Sequence, residues 1–167
     1  MSNIIRADGV DVMVDMSNGA TDGFVKIMML ATSTLARREW DFRFAARIAR
    51  MDQATMGFGA VGCNLAGLDW GAGPAEHQAA KDFVLSCTDL ALRRHRWEEL
   101  GYRPAFAEHH LREFRELVAE FDAAVATGSD DRFLDFADLV VTSCVRHRVL
   151  ALLPYYRECV FCTGDWN

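Results

Sequence analysis

The chain has 167 residues, of which 51% are apolar and 25% charged, and its formal net charge is −6. That much hydrocarbon in that length suffices for a buried core and excludes an intrinsically disordered chain. The acidic balance argues against a general nucleic-acid binder, whose footprint is a basic excess, and no 18-residue apolar run offers a membrane-spanning helix.

The first fifteen residues lack the basic-then-apolar layout of an export signal. The five cysteines, Cys63, Cys87, Cys144, Cys159 and Cys162, are odd in number. Together these features predict a chain kept in a reducing cytoplasm rather than a disulfide scaffold. Residues 1–20 read as a strand, hairpin or tail: Val10, Val12, Val14 and Met16 alternate with Asp11 and Asp15, between turn signals at Asp8-Gly9 and Asn18-Gly19.

From Asp22 the apolar period changes to that of a helix. Phe24, Met28, Ala31, Leu35, Phe42, Ala45 and Ala49 form one stripe, interrupted by Arg38, and Trp40, Phe44, Ile48 and Met51 form a second. This predicts one long helix over about 22–55, packed between neighbours. Six glycines and Pro74 then mark residues 57–74 as a packed loop. A second helix is expected from Ala75 to about Leu100, stopped by Gly101. A third opens at Pro104 and ends at Gly128, with Phe106, Leu111, Phe114, Leu117, Val118, Phe121 and Val125 inward. A fourth starts at Ser129 and stops before Pro154, burying Phe133, Phe136, Ala137, Val140, Val141, Cys144 and Val145. Residues 154–167 remain as a C-terminal segment. The expected fold is therefore all-α, a single-domain bundle of four main helices with an optional N-terminal strand or hairpin.

Four constellations carry chemistry. Gly57–Gly62 (GFGAVG) fits the letters of a dinucleotide-binding loop, but a helix rather than a strand precedes it, so it reads as a packing loop. Cys144-x2-His147-x11-Cys159-x2-Cys162 has metal-ligand spacing. On a helix, residues three apart share a face, so Cys144 and His147 would reach one ion, and the Cys-x2-Cys turn would complete a tetrahedral Cys3His zinc site. A redox cysteine pair and plain apolar packing are the alternatives. Arg93, Arg94 and Arg96, late in the second helix, and Arg146 and Arg148, late in the fourth, are candidates for an anion pocket together with Arg103 and Arg157. The competing expectation is helix-end charges paired with Glu98, Glu99 or Glu158. His109 and Glu113 have the i, i+4 spacing of a metal pair, with an ordinary surface pair as the alternative. No hydrolase, P-loop or di-iron motif is present.

Without a catalytic motif, the leading expectation is a non-enzymatic, cytosolic partner-binding protein. An acidic face of Asp130, Asp131, Asp135 and Asp138 with Glu113, Glu116 and Glu120 would meet a basic protein partner. Bacterial immunity proteins and antitoxins, which cap a toxic enzyme, are similar in size and composition, though no motif carries the likeness. The alternatives are a zinc-binding helical protein, either a regulator or a metal-dependent enzyme, and a small-ligand binder.

Overall fold

A computed structural model describes residues 3–51, 62–153 and 158–162. The expectations for residues 52–61, which hold most of the GFGAVG string, and for Pro154 and Arg157 lie outside the described residues. The fold is mostly helical, with short strands in two small sheets, and so is not the all-α bundle expected.

The N-terminal strand is present. Strand β1 (Asn3–Arg6) pairs antiparallel with β2 (Val14–Met16), placing Ile5 opposite Val14, and parallel with β3 (Cys63–Asn64). Alternation does its usual work here: Val14 and Met16 are buried while Asp15 is exposed. Asn18-Gly19, expected as a turn, instead opens helix α1 (Asn18–Leu35), because the Ser17 hydroxyl accepts the Ala20 N–H at 3.2 Å and caps it.

Helix α1 is the centre of the core. Phe24, Val25 and every residue of the run Ile27–Ala31 are at most 1% exposed. The single helix expected over 22–55 is broken after Leu35, and α2 begins at Glu39 (Glu39–Ala49). Asp41 is the cause. Its buried carboxylate accepts the backbone N–H groups of both Arg37 and Arg38 at 3.0 Å, donors that a continuous helix would spend on its own carbonyls. Arg38, which interrupts the apolar stripe, is thereby turned outward and pairs with Asp41 at 2.9 Å.

Helix α3 (Pro74–Leu92) starts on Pro74 as its first residue, but stops eight residues short of the expected Leu100. Arg94 and Arg96 take left-handed backbone angles (φ 60° and 59°), and a 3-10 turn, Trp97–Leu100, follows. Helix α4 (Ala107–Glu120) buries Leu111, Phe114, Leu117 and Val118 as the periodicity predicts. It is shorter than expected at both ends, so Phe106 and Val125 are exposed, at 75% and 55%.

The predicted fourth helix is absent. Residues 129–139 run as loop with one 3-10 turn, and an antiparallel hairpin follows, β4 (Val140–Ser143) with β5 (Leu150–Leu153). Two forces override the helical spacing. Asp130 is drawn into the interior, where its carboxylate pairs with the buried Arg47 at 2.8 Å and its N–H bonds the Gly67 carbonyl. The run Val140-Val141-Thr142 is β-branched and pairs more readily than it coils. Val140 and Val145, assigned to the core by helical spacing, are 55% and 95% exposed.

Candidate metal centre

The hairpin builds half of a four-residue cluster. At its tip the Cys144 N–H bonds the Val149 carbonyl and the Arg148 N–H bonds the Cys144 carbonyl, both at 2.8 Å, closing a tight turn over residues 144–149. Arg148 takes a left-handed conformation (φ 52°) to complete it. This turn, not a helix face, brings Cys144 and His147 together; the pairing expected from the spacing holds, and its mechanism is corrected. A second turn, with the Cys162 N–H on the Cys159 carbonyl at 3.0 Å, presents the other two sulfurs.

The four ligand atoms lie within 4.8 Å of one another and can hold a metal ion. His147 Nδ1 is 3.6 Å from Cys144 Sγ and 3.3 Å from the Sγ atoms of both Cys159 and Cys162. Cys162 Sγ is 3.8 Å from Cys144 Sγ and 3.7 Å from Cys159 Sγ. A regular tetrahedron around zinc, with bonds of roughly 2.3 Å to sulfur and 2.0–2.1 Å to nitrogen, has S···S edges of about 3.8 Å and S···N edges of about 3.6 Å. The five separations fall on those edges to within a few tenths of an ångström. All the cysteines involved are free thiols, far from the roughly 2.05 Å of a disulfide.

The two turns shift their first cysteines in opposite directions. Burial opposes ionisation of Cys144, yet backbone N–H groups of His147 and Arg146 and the neighbouring thiols outweigh it and leave this thiol below its ordinary range. Cys159 receives backbone N–H groups from Cys162 and Phe161, but burial dominates and pushes it up to about 12. Cys162 is also raised, first by burial. The Phe161 ring stacks on His147, with centroids 5.5 Å apart, and fixes the imidazole plane. Cys63 and Cys87 differ in kind: both are buried in the main core, where burial pushes their thiols up, and they pack as small hydrophobes.

The cluster is fastened to the helices by polar contacts that spacing alone does not reveal. Arg96 donates to the carbonyls of His147 and Arg148 at 2.6 and 3.1 Å. Glu99 accepts from Arg96 at 2.6 Å and from Arg148 at 2.7 Å. Burial works against the Glu99 charge, but the two guanidinium groups prevail and hold its carboxyl below the usual range. The Leu150 N–H bonds the Ser33 hydroxyl of α1 at 2.9 Å. Leu30, Val149, Ala151 and Cys159 form a small apolar cluster beneath the site. The left-handed turn at Arg96 is what aims its side chain at the hairpin.

The basic runs thus do converge, but Arg96 and Arg148 do so on a carboxylate, as the pairing alternative predicts. Arg94 pairs with Glu108 and Arg93 is exposed, while Arg146 lines a cavity of about 310 Å³ beside the cluster with Glu99, His147 and Phe161. The acidic residues singled out from the sequence differ in their surroundings. Asp130 is internal, Asp135 pairs with Arg43 at 3.4 Å, and Glu113 bonds His109 and His110 on α4 at 3.2 and 3.4 Å. Glu116 and Glu120 are exposed on α4, and Asp131 and Asp138 are exposed on the segment between α4 and β4. His109, His110 and Glu113 form a second group close enough to hold an ion, without the closed shell of the first. No family model matches this chain, and no curated protein or solved structure matches it either.

Proposed function

We propose that this protein is a zinc-binding protein whose Cys144–His147–Cys159–Cys162 centre is structural. The observation that carries the reading is the set of five inter-ligand separations, 3.3 to 3.8 Å, which match the edges of a zinc-sized tetrahedron. Three thiolates and one imidazole suit a borderline-soft ion, and tetrahedral sulfur–nitrogen sets are characteristic of zinc. Four protein ligands leave no open position for water or substrate, which favours a structural over a catalytic role.

The redox-pair alternative is less well supported. Cys162 is as close to Cys144 as to Cys159, at 3.8 and 3.7 Å, so no single dithiol stands out from the set. With zinc bound, three thiolates leave the centre one unit negative, and Arg96, Arg146 and Arg148 cluster around it. The ion would bind the turn after β4 to the turn at Cys159, and through β5 to Leu30 of α1.

Elemental analysis of the protein purified from zinc-supplemented culture tests this. About one zinc per chain is expected, falling below about a tenth in Cys159→Ser and His147→Ala while Cys87→Ser keeps its zinc. Wild-type protein without stoichiometric metal, and unable to take it up after thiol reduction, contradicts the proposal.

A further inference from the structure

A groove on the opposite theme, carboxylates over aromatics, lies between the start of α2, the loop before α3 and the 3-10 turn at Phe136–Asp138. Two adjoining cavities, about 700 and 380 Å³, share Glu39, Trp40, Gly71 and Glu76 in their walls. Trp40 is the floor. Its ring packs against Phe44 and Trp70 with centroids 5.5 and 5.2 Å apart, and its indole N–H is fixed on the Asp69 carbonyl at 2.7 Å. The aromatic core of the helical region therefore reaches the surface here at the partly exposed Trp40, held in place by these contacts.

The rim of the larger cavity is acidic: Glu39, Asp69, Glu76 and Asp135 all line it. The two arginines in the walls are already committed. Arg43 bridges Asp69 and Asp135 at 3.3 and 3.4 Å, bonds the Leu134 carbonyl at 2.7 Å and lies 4.3 Å from the centre of the Phe133 ring. Arg38 is spent on Asp41 and the Ala79 carbonyl. Four carboxylates against two arginines leave a surplus of negative charge beside a tryptophan face, the combination that recognises a cation. Arg43 shows the chemistry at work internally, satisfied by an aromatic ring and two carboxylates at once. The smaller cavity differs, since Trp70, Ala75, Ala79 and Ala80 line it and it suits an apolar group.

We infer that this groove docks a basic peptide segment of a protein partner, with a guanidinium or ammonium group in the acidic cavity and a neighbouring apolar side chain in the smaller one. The groove is open rather than enclosing, which fits a segment laid across it better than a small molecule buried within it. The expectation of a basic partner is thus carried by Glu39, Asp69, Glu76 and Asp135 around Trp40, and of the acidic residues singled out from sequence only Asp135 takes part. None of the metal-centre residues is involved, so this inference and the zinc reading stand or fall separately.

The test uses the full chain, tryptophan fluorescence and a capped hexapeptide of alternating arginine and leucine as probe. A saturable fluorescence change is expected, weakened several-fold by added salt and at least about tenfold in Glu39→Lys/Asp135→Lys. Both substitutions are at exposed positions, and an unchanged circular dichroism spectrum and melting curve confirms that the variant is folded. Two controls separate the sources: a glutamate–leucine hexapeptide should not bind, and spermine should bind at least tenfold more weakly than the basic peptide. No saturable response up to about 1 mM, equal binding by the charge-reversed variant, or spermine binding as tightly as the peptide each overturns the inference.

Discussion

The helical region and the tip of the C-terminal hairpin are held by different physics. Around α1, one hydrophobic cluster runs from Ile5 through α2, α3 and α4 and on to Leu150 and Leu152 of β5 and to Val160, with side chains such as Phe24, Met28 and Phe114 at most 1% exposed. Beneath the Cys3His cluster lies a second, smaller buried set, Leu30, Val149, Ala151 and Cys159, with Leu100 and Phe161 packed against it. Leu150 and Leu152 anchor β5 in the main core, but the small set beneath the tip removes too little surface from water to fix the two turns that carry the cluster. The difference teaches where polar contacts add to the fastening: Arg96, Glu99 and Ser33 tie the tip to the helical region, beside the Cys3His cluster.

Substitutions on the two sides should break the molecule differently, and the largest effect belongs to the core. Phe114→Ala removes a ring packed edge-to-face on Phe24 at 5.3 Å, and should cost about 3–5 kcal/mol in denaturant unfolding. It should lower the stability of helices and hairpin together, because Leu150 and Leu152 of the hairpin pack into the same core. Cys159→Ser should cost about 2–4 kcal/mol of hairpin stability in the zinc-loaded protein, with most helical circular dichroism retained. A fully unfolded Cys159→Ser protein would mean that the helices too depend on the centre.

Asp41→Ala probes the break between α1 and α2. It strips two backbone N–H groups of their buried acceptor and should cost about 2–3 kcal/mol, measured as a shifted denaturant midpoint, with metal content unchanged. Glu99→Gln should have the smallest effect, about 0.2–1 kcal/mol, since its ion pairs are solvent-exposed. The folded-state value of Glu99 is depressed, so its contribution is fully present above its ordinary value of 4.5 and is lost as pH falls through the lower folded value. Below pH 4.5 the stability difference between wild type and Glu99→Gln should therefore narrow, as paired melting curves would show.

The two regions also differed in how legible they were. Helices α3 and α4 follow from stripes such as Leu111, Phe114, Leu117 and Val118, whose spacing has no competing explanation. In the loop and hairpin after α4, Phe133, Phe136, Val140, Val141 and Cys144 satisfy a helical period by accident, and the β-branched pair Val140-Val141 is the counter-signal. The four Cys3His residues still come together as the spacing predicts, because C-x2-H and C-x2-C converge through tight turns as readily as through helix faces. The α1–α2 break depends on one side chain, Asp41, capturing backbone donors, a choice that periodicity does not encode. The clamp of Arg96, Glu99 and Arg148 joins segments some fifty residues apart and emerges only from the fold.

Amide hydrogen exchange on the zinc-loaded protein, before and after chelation, tests the central claim that a metal centre fastens the hairpin to an independently stable helical core. The account predicts that amides of Val140–Ser143 and Leu150–Leu152 lose protection by about a hundredfold or more on chelation, while those of Ile27–Ala31 in α1 change by less than about threefold. Equal protection of the hairpin with and without zinc would contradict it.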